Sequence, residues 1–575
     1  MPHGSMVGSE LVATDISAGP RLRARLAQAR PWKLAACIAV PLGLAYLIVA
    51  PPSADLAAAS YRSYLFAHSG LTLWDNAWYG GHSLLSYSLV SPALGAPLGV
   101  QLPQTLAAVL AAILFALLIE DRFAGRLTSL AACWFALGVG IELLSGRVPF
   151  DIGLAIGLGA LLAAQRGHRA MAMGLTGLCA ATSPVAGAFL ALATFTWTFA
   201  GSSGHAGSLH LRRIYASSSS RFIESRGRVG GTVGRSFRVS LTLCALAVIV
   251  ALAVIFPESG SEPFAASSFW PAETIVMALA ILLSRKQRLL CVGALFYGIA
   301  LIGAFVIQTP LGGNAVRLGA LVAGPLTLCT LGERRRLLVF LVPVLLYWQL
   351  IAPIRDVVSA NSDPAVNASY YTPLLEHLQT LGALEHPARV EVVPTRDHWE
   401  ARWIAPRISI ARGWERQLDR ANNSLFYVHG QLTAVRYQRW LAEQAISYVV
   451  LPDAPLDYSA RAEARLVRAG LPYLREVWRS AHWRLFAVQG ATPLAQRPAV
   501  LSSMGSDSFT LHVPRPGSYL VRVRFSPYWA LQGRSGCVRQ GPSGFTEVQA
   551  RSTGDLTVGI DFTPARIFQH GERCR

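Results

Sequence analysis

The sequence predicts a polytopic α-helical membrane protein of about eleven transmembrane helices. A C-terminal extracytoplasmic α/β domain and a small all-β, sandwich-like module are expected to follow. Three observations carry this. Apolar residues, 52% of the chain, concentrate between about residues 34 and 352. Only 14% of residues are charged, where a soluble protein carries about a quarter. From Ile354 onward, long apolar runs give way to short alternating stretches and helical repeats.

The elements follow in order. Residues 1–33 form a polar, Arg-rich tail. No convincing small-residue cleavage site precedes Asp55, so the first apolar run is read as a helix that stays in the membrane. A span needs about 20 apolar residues, fewer where the helix is broken. Candidate spans run 34–53, 92–119, 127–145, 150–164, 170–182, 184–200, 239–256, 271–284, 289–307, 315–331 and 337–352. The proline of "TSPVAG" (182–187) splits the fifth from the sixth, because proline interrupts a helix.

The net charge of +19 suggests nucleic acid until the charges are placed. With the N-terminus inside, cytoplasmic segments hold Arg21, Arg23, Arg25, Arg30 and Lys33, then Arg122, Arg126, Arg166 and Arg169. The Ser/Gly/Arg-rich loop at 201–238 and the short loops near Arg285 and Arg334 add more. The outer loops between spans hold only Arg62, Arg147 and Arg317. This is the positive-inside pattern, and it points to membrane lipids rather than nucleic acid as the partner of the basic segments. It places the first loop (54–91) and everything after 352 outside.

In the C-terminal region, "ARVEVVPT", "ISYVVLP" and "HWRLFAV" read as strands, and "YYTPLLEHLQTLG", "TAVRYQRWLAEQA" and "ARAEARLVRAG" as helices. They predict an α/β domain over 353–490. "SFTLHV", "SYLVRVRFS", "FTEVQA" and "LTVGIDF" alternate between turns and predict the β module over 491–575. Six cysteines fall in predicted spans; Cys537 and Cys574 share the outer module, where an oxidising exterior favours a disulfide. No Cys/His spacing suggests a structural metal.

The chemistry-bearing positions lie on the outer face. Asp55 ends the first span, and an interface helix with Arg62 follows it. Then comes "LWDNAWYGGHSLLSYS" (73–88), with Trp74, Asp75, Trp78, Tyr79 and His82. Glu142, Arg147 and Asp151 flank the third and fourth spans, and Asn314 and Arg317 open the tenth. A carboxylate there can take a proton from a hydroxyl. Arginines match phosphate oxygens, and aromatics can wall a sugar. Each has a plainer role. Asp55 suits a helix cap, Asp75 an Asx-turn and His82 a hydrogen-bonded loop position. Arg147 pairs with Asp151 if both are helical, and Arg62 can snorkel. The aromatics suit an interfacial belt. "HWEARWIAPRISIARGWERQLD" (398–419) reads either as an acceptor-docking surface or as an ion-paired packed segment.

The terminal Asp55, the interface helix and "LWDNAWYGGHSLLSY…SP" together resemble the GT-C superfamily of polytopic membrane glycosyltransferases. The similarity is greatest to the bacterial YfhO-like branch and to membrane proteins labelled as 6-pyruvoyl-tetrahydropterin-synthase-related. "GRVPFDIG", "TSPVAG", "GGNAVRLGALVAGPL" and "SPYW…GCV" fit that branch. No pterin-synthase-like metal triad is found, so no pterin chemistry is expected. The resemblance implies an undecaprenyl- or decaprenyl-phosphate sugar donor, a cell-envelope glycan or lipid acceptor, and an inverting displacement. It implies Asp55 as general base with Asp75 as second candidate. Arg147, Arg317 and Arg62 would bind the donor phosphate. His82, Trp74, Trp78, Tyr79, Asn314, Glu142 and Asp151 would line the substrate site. Family members often pair two acids in the first outer loop; here they stand twenty residues apart, which disfavours a shared metal site. No cofactor is assigned with certainty, and a divalent cation is left open. The rival readings are a transporter or flippase of a lipid-linked or polar substrate, and a non-catalytic envelope assembly protein on the same scaffold.

Overall fold

The computed structural model describes residues 30–567 and Cys574, apart from 124, 201–232, 259, 284–286, 333 and 534–535. The expected basic tail and Arg-rich loop lie mostly outside the described residues.

Helix α1 (Pro31–Val49) starts with proline at its first position, where the missing N–H has no helical partner to lose. Helix α2 (Ala54–Ser69) carries Asp55 in its first turn, where the helix dipole favours an anion. The first loop folds a small ribbon, β1 (Trp74–Asp75) against β2 (His82–Ser83). The span expected at 92–119 is two helices, α3 (Ser91–Leu98) and α4 (Gln101–Glu120), because Gly99 adopts φ +72° between them. Then follow α5 (Arg126–Glu142), α6 (Val148–Gln165), α7 (Arg169–Thr182) and α8 (Pro184–Ala200). Ser183 is extended (φ −150°, ψ 110°) between the last two, as a residue preceding proline tends to be. Helices α9 (Arg235–Ile255), α10 (Ala266–Leu282), α11 (Arg288–Val306), α12 (Arg317–Leu331) and α13 (Arg335–Asn361) complete the set. The domain boundary expected at 353 falls inside α13, which runs through both Pro343 and Pro353.

Among the described residues eight of these helices, counted with the short turns that extend two of them, are long and apolar enough to cross a membrane. Helices α8 and α10 are apolar but shorter. The chain is a polytopic helical protein with a β-rich C-terminal region.

That region opens with α14 (Ala368–Thr380) and a five-stranded sheet in the order β4-β3-β5-β7-β6. The strands are β3 (Arg389–Val392), β4 (Ser409–Ile410), β5 (Ile446–Pro452), β6 (Leu474–Arg479) and β7 (Trp483–Val488). Strand β3 is parallel to β4 and β5, which the intervening helices α15 (Glu400–Trp403), α16 (Arg416–Asn422) and α17 (Ala434–Glu443) allow. Helix α18 (Arg461–Ala469) covers the same sheet with Ala464 and Val467. Two antiparallel sheets follow, β10-β13-β12 and β11-β14-β9-β8. Their strands are β8 (Val500–Met504), β9 (Ser508–Val513), β10 (Gly517–Arg524), β11 (Trp529–Gln532), β12 (Gly536–Gln540), β13 (Phe545–Ala550) and β14 (Gly554–Ile560). Alternate residues of both sheets, among them Phe509, Leu511, Val521, Val548 and Leu556, form one core. Each such side chain contributes about 1.5–3 kcal/mol on burial. Cys537 and Cys574 form a disulfide with Cα atoms 5.2 Å apart.

One end of the helix bundle meets this region. Leu89 N–H donates to Ala181 O, tying the first loop to the end of α7. Ser145 Oγ donates to Asp356 Oδ2, tying the end of α5 to α13. Glu262 N–H donates to Thr309 O, joining the loop after α9 to the loop after α11. Tyr528 OH donates to Ile255 O, bringing the β-rich region onto the end of α9.

Candidate active site

The site is built where α2, α6, α12 and α13 begin or end on that shared face. Gly146 sits at φ +71°, and a Cβ there would lie 2.7 Å from Leu56 Cγ and against Ser53 Oγ. Glycine therefore lets the turn before α6 press onto the first turn of α2. This delivers Arg147 to Asp55, with Nε 3.5 Å from Oδ2. The same guanidinium reaches Glu142 at 2.7 Å and Asp356 at 3.4 Å. One cation thus holds three carboxylates. Among the described residues Asp55 accepts no hydrogen bond, and its side chain is 23% exposed. An anchored, partly open carboxylate without a hydrogen-bond donor is free to receive a proton.

Asp151 does not pair with Arg147. It accepts from Gln104 Nε2 at 2.8 Å, and Gln104 in turn accepts from Tyr46 OH at 3.0 Å. The helical i,i+4 pairing fails because Arg147 precedes α6 with non-helical backbone (φ −80°, ψ 57°).

Arg317 faces the same cluster and is treated differently. Its guanidinium packs over the Phe150 ring at 5.4 Å. It lies within electrostatic range of Asp55, Glu142, Arg147 and Tyr87, yet among the described residues it has no ion pair. Tyr297 fixes the start of α12, donating from its hydroxyl to Ala315 O (2.7 Å) and accepting from Gly319 N–H (3.0 Å). Asn314 sits half-buried in the 3₁₀ turn just before Arg317. The arrangement is a carboxylate beside an unpaired guanidinium, the pairing needed to deprotonate a hydroxyl and bind an anion. Among the described residues no group of three or more His, Cys, Asp or Glu side chains is spaced to hold a metal ion.

Four further residues border this cluster. Asp356 anchors Arg147, and Glu262 interacts electrostatically with Arg317 and Asp55. Tyr87 lies within electrostatic range of Asp55 and Arg317 and meets Trp414 edge-on at 6.2 Å. Trp414 Nε1–H donates to Ala54 O at 2.9 Å, one residue from Asp55. Tyr87 and Trp414 supply the aromatic character the sequence assigned to other residues.

No protein-family model matches this chain, and no curated protein matches it. The site must therefore carry the functional reading.

The remaining expected residues form a buried clasp instead of a pocket wall. Arg62 is 4% exposed and pairs with the equally buried Glu415. Its guanidinium also covers the Tyr87 ring at 3.9 Å. It is neither a snorkelling residue nor open to a phosphate. Asp75 is fully buried, accepting from Tyr61 OH at 2.9 Å and from Ala77 N–H at 3.0 Å, the latter an Asx-turn. Burial pushes its carboxyl up to about 6, against the pull of those donors. Sealed in this way, it is not a second base.

Trp78 is sandwiched between Tyr61 (4.6 Å) and His82 (5.3 Å), and Trp74 packs edge-on against Trp529. Tyr79 spends its hydroxyl on Glu415 O. The two glycines serve this packing: a Cβ on Gly81 (φ +126°) would sit 2.6 Å from the Trp74 indole. The expected sugar wall of Trp74, Trp78, Tyr79 and His82 is therefore interior. The sequence could not show this, because the residues that bury them lie hundreds of positions away. Asn76 likewise donates to Gly505 O, and Ile410 N–H to Ala77 O. Of segment 398–419, Arg412 is locked to Asp419 (2.6 Å) and Glu463 (3.3 Å), while Trp414 reaches the Ala54 carbonyl beside Asp55.

His82 makes the clasp acid-sensitive. Burial, and then the Arg62 cation, hold its imidazole down at about 3. An unfolded histidine titrates near 6.5. Its contribution to stability is thus complete above about pH 6.5 and fades as pH falls toward 3. His82→Phe keeps the stacking on Trp78 and removes the titration. Relative to its own difference at pH 7.5, the variant should gain about 2 kcal/mol over wild type at pH 5. Thermal unfolding across pH checks this; a difference that does not change with pH refutes it.

Proposed function

We propose that this chain is a membrane glycosyltransferase of GT-C type. It moves a sugar from a polyprenyl-phosphate donor to a cell-envelope glycan or lipid acceptor, with inversion. In this reading the scaffold has eleven spans, α1 and α4 to α13, with the N-terminus cytoplasmic. The face bearing Asp55 and the whole C-terminal region are extracytoplasmic. The donor's lipid tail remains in the bilayer while its sugar phosphate enters the cleft.

The single observation that carries this is the Asp55 carboxylate, held at 3.5 Å by Arg147, lying within electrostatic range of the Arg317 guanidinium, which has no ion pair among the described residues. Asp55 takes the proton of the acceptor hydroxyl as its oxygen attacks the anomeric carbon. The bond from that carbon to the phosphate oxygen breaks on the opposite face. The carrier phosphate leaves with that electron pair, and Arg317 compensates its added charge. The three acids around Arg147 outnumber its single charge, so it orients the base and does not bind phosphate.

The roles separate in an assay of the purified full chain in lipid nanodiscs. Arg317→Gln should weaken binding of undecaprenyl phosphate by about tenfold to a hundredfold, the worth of a charged hydrogen bond. Arg147→Gln should leave that affinity close to wild type. Equal affinity in wild type and Arg317→Gln would remove the anion site from the reading.

A further inference from the structure

We infer that Trp414, supplied by the C-terminal region, is the surface on which the transferred sugar stacks beside Asp55. This rests on the glycosyl-transfer reading above and gives the site its sugar subsite.

The neighbours of Trp414 are clamped, and its ring is left half-buried between them. Gly413 lies so close to Trp78 and Tyr79 that a Cβ would come within 2.9 Å of one and 3.0 Å of the other. Glu415 is held by Arg62, and its backbone carbonyl accepts from Tyr79 OH at 2.9 Å. The indole between them is half-buried, and its N–H bond to Ala54 O fixes the ring plane. Its one aromatic contact among the described residues is the edge-on Tyr87. Among the described residues no ring lies parallel on it, and no cation sits over it. The contrast with Trp78, both of whose faces are covered, is direct. Trp414 packs in part against the core, and a half-buried indole held in plane, one residue's length from a candidate base, suits the apolar C–H face of a sugar ring. The tie to α2 also means that the C-terminal region completes the site.

The test uses the full chain in nanodiscs. Affinity is measured for bare undecaprenyl phosphate and for a panel of its hexosyl and pentosyl esters. Wild type should prefer at least one glycosylated lipid over the bare carrier. Trp414→Leu should bind the bare carrier as wild type does and lose about tenfold of that preference. Undiminished preference in a folded Trp414→Leu overturns the inference, as does a wild type that binds the carrier but favours no sugar. A wild type that binds no polyprenyl phosphate at all overturns the glycosyl-transfer reading itself. Should Trp414→Leu not fold, Trp414→Phe and Trp414→Met are compared. Preference kept by phenylalanine and lost by methionine supports the subsite, and equal preference overturns it.

Discussion

Asp55→Asn should reduce donor turnover by about a hundredfold or more while leaving the fold and donor affinity close to wild type. The substitution is nearly isosteric. It removes the one feature the reaction needs, an anionic oxygen able to take a proton. The stability cost should be small. Asp55 is 23% exposed and contributes one ion pair at 3.5 Å, and Arg147 keeps Glu142 and Asp356. Even a fully exposed pair is worth about 1 kcal/mol or less, and this longer, partly buried one leaves its cation two other acids. Donor affinity should persist because Arg317 is untouched. The measurement is single-turnover consumption of a glycosylated undecaprenyl phosphate, with binding followed separately. Full turnover in the variant would sink the assignment of Asp55. Donor left intact by both proteins, together with movement of lipid-linked sugar across liposomes, would replace the enzyme with a transporter. Glu142→Gln is the matched control. It also takes a carboxylate from Arg147, but from the side chain holding the guanidinium at 2.7 Å, so it should misplace the base without removing it.

The parts of this site that were legible in the sequence are those whose signal is local. Asp55, Arg147 and Arg317 stand out because each is a charge at the end of an apolar run, where burial needs a reason. Strands β5 and β9 were readable because Ile446–Pro452 and Ser508–Val513 pattern as strands between turns. What was not legible is contact at long range. Asp356 looks like an ordinary polar residue after the last span until α13 is seen to continue to Asn361 and bring it to Arg147. Trp414 lies 360 positions from the carbonyl it caps. The aromatic run at 73–88 promised a pocket wall, since nothing nearby in sequence could cover it. Its cover comes from Ile410, Gly505 and Trp529. The pairing of Arg147 with Asp151 fails for a smaller reason, a helix that begins one residue later than the spacing rule requires.

The clasp should be where the molecule is most easily broken. Arg62 and Glu415 are 4% and 1% exposed, and their pairing links α2 to the segment that carries Trp414. Two charges taken this far out of water are strongly destabilising when either is left alone. Removing one partner of a buried pair typically costs about 3–5 kcal/mol. Arg62→Met and Glu415→Leu should each lower the unfolding temperature sharply. Arg62→Met strands a carboxylate that burial already pushes above its usual range and that Arg62 pulls back, leaving it only the neutral donor Gln417 among the described residues. Glu415→Leu strands a guanidinium over the Tyr87 ring. The double variant leaves neither charge unpaired, and apolar side chains of similar volume fill the space. It should recover most of the loss, so the two effects are far from additive. Thermal unfolding of the four proteins in detergent reads the cycle. A double variant as unstable as the sum of the singles would mean that the pair does not act as one unit. Single variants as stable as wild type would mean that α2 and the C-terminal region are held together elsewhere. In the recovered double variant, turnover becomes the informative quantity. Its stability is restored, but the charged tie that sets Trp414 against Ala54 is gone, so any remaining loss of activity measures positioning alone.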